Sequence, residues 1–437
     1  MGRWGIIGVS LRSPDIRDRL EPQDGLYTLV QRGPSGDRLS VIGTVREILV
    51  APEDPGAVLA RIAAPDTTIV SLTVTEKGYT HDPAIGRLDD KHPDIVHDLA
   101  NPERPKSTLG VLVRGLAQRR ARGAGPITVL CCDNLPHNGR TLVGLVATFA
   151  GLCDPKLARW IADMVTFPST MVDRITPATT AADTDAVVRA LGLYDAASVI
   201  AEPFTQWVIE DRFASSRPRW EIAGAELVSD VAPYEATKLR LLNGSHSALA
   251  YAGYLAGHEY VYQVMAQPSF ARFIAGLMDE TTPTLAVPKG VDLGAYKQAL
   301  LARFANPGLK HRTWQIAMDG SQKLPQRLLG TIRENLKAGR PVRLAALAVA
   351  SWMRYVTGVD EKGRPIDVKD PLAERLRSIG AETRGNPTAQ ARAYLGVGAV
   401  FGEDLPHATP FADAVTAALT TLYAKGAAAA VDEAMRS

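Results

Sequence analysis

Cysteine is scarce: the 437 residues include three, Cys131, Cys132 and Cys153. That is too few for a disulfide framework, and none belongs to a C-x-x-C pair of the kind that redox and zinc sites use. A reducing cytoplasm is the setting this implies. Long apolar runs are lacking too. The longest, Leu344 to Met353, is about half of what a bilayer-spanning helix needs. The N-terminus shows no basic region followed by an apolar run and a cleavage site, so a protein neither exported nor membrane-spanning is expected. Charge of one sign is also in short supply: 49 basic and 47 acidic side chains leave a net +2. This excludes nucleic-acid or membrane-surface binding through bulk charge and leaves anionic partners to local recognition.

What is present is the composition of an ordinary enzyme, 46% hydrophobic and 22% charged, in a chain longer than one core usually supports. The first half alternates short β-branched runs with helical ones, the pattern of a parallel sheet covered by helices. Strands are expected at Trp4 to Val9, Leu39 to Leu49, Thr68 to Val74, Ile127 to Cys131 and Met164 to Phe167. One helix should start at Asp54-Pro55, a cap residue followed by proline, and another should span Leu109 to Arg122. His81 to Lys106 is polar and aperiodic and reads as an excursion over the sheet edge. The basic run Arg119-Arg120-Ala121-Arg122 reads as a solvated C-terminal turn. From about Tyr234 onward the β-signature fades. Long amphipathic segments follow at Ala248 to Asp279, Ala295 to Phe304, Leu324 to Ala338 and Pro341 to Thr357, and an alanine-rich terminal helix at Phe411 to Ser437 has Gly426 as its weak point. Two domains result, 1–230 and 231–437.

The stretch Lys238-Leu239-Arg240-Leu241-Leu242-Asn243-Gly244-Ser245-His246 carries the strongest chemical signal. On an α-helix, at about 100° per residue, Asn243 lies about 140° and His246 about 80° round from Lys238, so the three can face one cleft. A buried lysine whose pKa is lowered towards neutrality can exchange a proton with an alcohol or ketone oxygen. An amide N–H can hold that oxygen's developing charge, and an imidazole can orient it. Four further blocks are dense in polar and turn residues. Ser71 to Tyr79, Cys131 to Gly139 and Phe167 to Pro177 each leave a strand, where open α/β sheets bind ligands. His311 to Lys323 crowds cations and amides into a loop of the helical half.

Taken together these blocks resemble the polyol-specific long-chain dehydrogenase/reductase (mannitol dehydrogenase) family, from about Trp4 to the last helices. The resemblance implies an α/β fold with an N-terminal Rossmann-like dinucleotide-binding domain and a mostly α-helical C-terminal domain that holds the sugar. No metal takes part in the family's reaction. It implies Lys238 as acid and base, Asn134 and Asn243 as the asparagines that stabilise the alkoxide, and His246 as the residue that orients the substrate. Glu76 is expected near the proton path, and Val172 and Asp173 beside the nicotinamide.

Within the family, Lys77 after the Thr-Glu pair and Gln315 in the Thr-Trp-Gln-Ile-Ala-Met-Asp-Gly-Ser-Gln-Lys run resemble the fructuronate reductase (mannonate oxidoreductase) branch of hexuronate breakdown. Such a substrate carries a carboxylate remote from its ketone, which Lys323 or Arg312 can meet. The rival readings are a mannitol- or arabinitol-type polyol 2-dehydrogenase and a catalytically silent paralogue. The cofactor implied is NAD. NADP stays open, because Ser10, Arg12, Ser13 and Asp15 follow the strand in an order compatible with either. The implied partners are a small sugar acid or polyol, with no nucleic acid or membrane, and the implied state is a monomer. One departure stands out: the sequence opens at what resembles the family's second strand. Gly5-Ile6-Ile7-Gly8-Val9-Ser10 lacks G-x-G-x-x-G spacing, so the first strand and Gly-rich loop are expected to be missing.

Overall fold

A computed structural model describes residues 4–82, 86–288 and 290–436. The chain divides into two compact units, Met1–Glu235 and Ala236–Ser437.

In the first unit, β1 (Ile6–Ser10) is followed by β2 (Tyr27–Gly33), β3 (Gly36–Ile42) and β4 (Val45–Val50). The run expected as one strand from Leu39 to Leu49 is split at Gly43, where a side chain would meet Leu26. Its first part folds back antiparallel on β2, and its second pairs in parallel with β1, Ser10 opposite Val50. The helix Pro55–Ala63 begins as expected, with the Asp54 carboxylate accepting the Ala57 N–H. Next come β5 (Ile69–Leu72) and a short ribbon, β6 (His81–Asp82) and β7 (Arg87–Leu88). The excursion expected over His81 to Lys106, of which 83–85 lie outside the described residues, also contains a helix, Pro93–Ala100. Its cap is His92, whose Nδ1 accepts the Asp94 N–H. Histidine is outside the usual cap set, which is why the start was illegible.

β8 (Ile127–Cys131) and β9 (Val165–Thr166) extend β5 in parallel. β10 (Thr170–Asp173), β11 (Val199–Ala201), β12 (Gln206–Glu210) and β13 (Glu226–Val228) complete the strands, with β12 between β10 and β13, and β11 beside β2. The parallel strands thus form two hydrogen-bonded groups, β1 with β4 and β5 with β8 and β9. Both groups share one core: Leu49 and Ala51 from one side and Leu72, Val129 and Cys131 from the other pack with the helices Thr108–Ala121 and Asn138–Cys153. The basic run is a correction. Arg119 is 1% exposed, and its guanidinium donates to the carbonyls of Ile62, Ala64, Thr67, Gly125 and Pro126. A guanidinium can be buried only with its donors satisfied in this way.

The second unit is helical around one large core. Its centre is the helix Arg343–Tyr355, buried on every side from Leu344 onward, as an apolar all-round helix must be. Beside it runs Gly244–Leu255, whose small residues permit close packing. The stretch expected from Ala248 to Asp279 is three helices, broken at Gly257 and again before Pro268. The terminal helix breaks at Gly426, where φ is +81°, into Thr409–Lys425 and Ala427–Ala434; Ser437 lies outside the described residues. No helix among the described residues is long and apolar enough to cross a membrane.

Candidate active site

The helix that carries Thr237 runs straight into a π-helical turn, Lys238–Asn243, and then into the α-helix Gly244–Leu255. Hydrogen bonds in a π turn span five residues, as when the Gly244 N–H donates to the Leu239 carbonyl. The α-helical spacing expected from the sequence is therefore corrected. Residue i+5 returns over residue i, so Asn243 stands one turn above Lys238, and His246 follows Asn243 at the i,i+3 spacing of one face. Lys238, Asn243 and His246 are 7%, 7% and 6% exposed. A second π turn, Pro325–Leu329, packs on the first. Proline there removes a donor from the α-helical ladder. Gly244 permits the contact: a Cβ on it would lie 2.8 Å from the Arg327 carbonyl oxygen.

The His246 ring packs 4.7 Å from Phe304 and edge-on to His311 at 5.2 Å, centroid to centroid. Its Nε2 is buried and has no hydrogen-bond partner among the described residues. Burial holds the imidazole well below its ordinary pKa, helped by His311, Arg327, Arg303 and Lys238. His311 is pushed down to about 4 by burial and by Lys323. The site therefore holds two neutral imidazoles among cations, and a neutral imidazole nitrogen can bond a substrate oxygen.

Lys323 lies on the helix Gly320–Leu324 and donates to the Met318 carbonyl at 2.6 Å. That carbonyl closes the helix Thr313–Ala317, where a cation suits the dipole. Arg312 instead pairs with Glu259 at 2.8 Å, with side chains 43% and 51% exposed, an ion pair worth little. Gln315 is exposed. The second unit thus gathers Lys238, Asn243 and His246, reaches Lys323 through His311, and leaves Arg312 and Gln315 at the surface.

In the first unit the strand-end blocks are bolted together. The Asp133 carboxylate accepts the Val74 and Thr75 N–H groups at 2.9 and 3.0 Å and the Tyr79 hydroxyl at 2.6 Å. The Asn138 amide donates to the carbonyls of Cys131, Asp133 and Thr170 and accepts the Thr170 N–H. Asn134 is exposed on this joint, Glu76 is exposed at the head of the short helix Glu76–Tyr79, and Val172 and Asp173 lie on β10. A cavity of about 650 Å³ opens at the carboxyl ends of β1 and β5, lined by Ser10, Arg12, Lys77, Lys106 and Thr108 among others; Glu76, Val172 and Asp173 are not in its lining. Sequence reasoning singled out the blocks that hold His311, Asp133 and Asn138 without giving these three residues a role, and it missed Arg327. A signal existed for Arg327, which follows Lys323 at i+4.

A cavity where parallel strands diverge to either side is where dinucleotides bind. A buried lysine with an amide and a neutral imidazole is equipment for moving a proton on oxygen. The class these features define is an oxidoreductase of CH–OH groups. Residues 2–222 match the mannitol dehydrogenase Rossmann domain and residues 230–423 the mannitol dehydrogenase C-terminal domain. The chain belongs to the mannitol dehydrogenase family, NAD-dependent oxidoreductases acting on CH–OH groups. It is 47% identical over 430 residues to the D-mannonate oxidoreductase of Escherichia coli, covering 97% of this chain and 88% of that one. It is 41% identical over 431 residues to a mannitol 2-dehydrogenase of Aspergillus fumigatus, covering 97% and 85%. Among solved structures, the Pseudomonas fluorescens mannitol 2-dehydrogenase ternary complex with NAD and D-mannitol superposes with a TM-score of 0.91 at 39% identity, covering 99% and 88%.

Proposed function

We propose that this enzyme interconverts D-fructuronate and D-mannonate, with Lys238 as acid and base. The observation that carries the reading is the charge around the buried imidazole. Arg327, Arg303 and Lys238 act on the neutral His246, and Lys323 acts on the neutral His311. A neutral polyol gains little from such a surround, whereas the carboxylate of a sugar acid is stabilised by it. Lys323 is the side chain we assign to that carboxylate, and Arg312 is held by Glu259. The similarity to a D-mannonate oxidoreductase supports the same choice.

When bound, the nicotinamide cofactor supplies or accepts the hydride. The chain's residues handle the oxygen. In reduction the Lys238 ammonium donates a proton to the former ketone oxygen, and in oxidation the neutral amine takes it back. The amides of Asn134 and Asn243 stabilise the alkoxide, and His246 Nε2 orients it. The cavity at β1 and β5 fits the adenosine side of the cofactor, since its lining includes the hydroxyls of Thr80 and Thr108 and the ammonium groups of Lys77 and Lys106. Glu76 is assigned to the proton path, and Val172 and Asp173 to the nicotinamide side.

A polyol 2-dehydrogenase is favoured by one observation: the Lys323 ammonium is already engaged by the Met318 carbonyl. Lys323→Gln separates the two readings. We expect KM for fructuronate to rise about tenfold or more, as loss of a charge-assisted bond implies, with fructose turnover nearly unchanged. Equal effects on both substrates would favour the polyol enzyme.

A further inference from the structure

The backbone around Lys323 is gripped by a segment nearly fifty residues further along the chain. The central helix Arg343–Tyr355 carries Arg354 in its last turn, and the Arg354 guanidinium donates to the carbonyls of Val359 and Asp360. This fixes the start of a tight excursion in which Val359 bridges to Pro365 and the Asp360 carboxylate accepts the Lys362 and Arg364 N–H groups. The excursion ends on the turn that leads to Lys323. There the Lys369 carbonyl accepts the Asp319 N–H at 2.8 Å. The Asp370 carboxylate accepts the Ser321 N–H at 2.7 Å and the Ser321 hydroxyl at 2.6 Å.

Asp319 has φ +56°, a left-handed conformation that a non-glycine residue keeps only where its surroundings impose it. Gly320 lies flat on the core, since a Cβ there would collide with the Trp352 indole nitrogen and the Tyr251 hydroxyl. Lys323 bonds the Met318 carbonyl, one residue before Asp319. The backbone that carries the ammonium and the carbonyl that receives it are thus both set from residues 369 and 370. We infer that Asp370 is a positioning residue of the reaction, which through Ser321 sets where Lys323 meets the substrate carboxylate; this rests on the reading of Lys323 as that group's partner. Asp370 is itself an anion, so losing its charge alone would tighten the binding of an anionic substrate. Weaker binding on its replacement therefore reports a displaced Lys323.

Asp370→Asn keeps the Oδ1 acceptor, which also receives the Leu372 N–H, but turns an amide N–H₂ group toward the Ser321 N–H, donor against donor. The test is steady-state kinetics of Asp370→Asn, Lys323→Gln and the double variant, with fructuronate and fructose. Asp370→Asn should raise KM for fructuronate about threefold to tenfold, the range of one lost hydrogen bond, and leave kcat and the fructose KM within about twofold of the parent. In the Lys323→Gln background it should have no further effect, because the two residues act as one unit. An unchanged fructuronate KM, effects that multiply in the double variant, or an equal loss with fructose makes Asp370 an ordinary structural cap and overturns the inference alone. A Lys323→Gln enzyme with an unchanged fructuronate KM overturns the reading of Lys323 as well. If Asp370→Asn does not fold, Ser321→Ala, which deletes only the hydroxyl bond, replaces it in the same cycle and is judged by the same outcomes.

Discussion

Asn243 stands one π-helical turn above Lys238, and the two are buried on the same side of the helix. In an uninterrupted α-helix their five-residue separation would turn them about 140° apart. The local departure from α-geometry is what brings an amide and a lysine to one side of the helix, where we propose that they meet one substrate oxygen. The neighbouring turn at Pro325–Leu329 and the bare Cα of Gly244 make it possible.

Lys238→Met should therefore cost about 10²- to 10⁴-fold in kcat, the span of general acid–base catalysis, while the melting temperature stays within a few degrees of the parent. Stopped-flow cofactor oxidation and thermal melts check both halves. Retention of a tenth of the activity would remove Lys238 from its role.

Gly244→Ala tests the π turn. The new Cβ would lie 2.8 Å from the Arg327 carbonyl oxygen, too close without moving backbone. A loss of about 1–3 kcal/mol in a denaturant titration is expected. Catalysis should fall by more than the folded fraction explains, because separating the two turns misaligns Asn243 over Lys238. A variant of native stability and full activity would show that the contact is slack.

Acid should weaken the fold through the paired imidazoles. His246 and His311 are neutral when folded, with pKa values below the ordinary 6.5, His311 at about 4. The unfolded chain binds more protons between pH 6.5 and 4, so stability is full above that window and falls as pH drops through it. His311 alone accounts for on the order of 3 kcal/mol. Chemical denaturation at pH 7 and pH 4.5 should show a smaller drop for His311→Gln than for the parent. An equal drop would assign the acid sensitivity elsewhere.

Most of the fold class was legible because it is written in periodicity. The strand Ile127–Cys131 and the capped start at Asp54-Pro55 came straight from local rules. Where tertiary contacts overrule local ones, the sequence misled: Arg119 ends a helix like a solvated cation, yet five carbonyls receive it inside. In the site, the residue types of Lys238, Asn243 and His246 were readable but their spacing was not, since nothing local distinguishes a π turn from an α one. His311 was legible as a polar residue but not as the partner of His246, sixty-five positions away in sequence and 5.2 Å in space.

The most direct measurement is NADH oxidation, followed by the loss of its near-ultraviolet absorbance, with D-fructuronate and D-fructose compared side by side. A kcat/KM for fructuronate at least about a hundredfold higher is the result expected if Lys323 and the cations around His246 receive a carboxylate, a difference of about 2.7 kcal/mol. A preference for fructose would contradict the sugar-acid reading and assign the site to a neutral polyol.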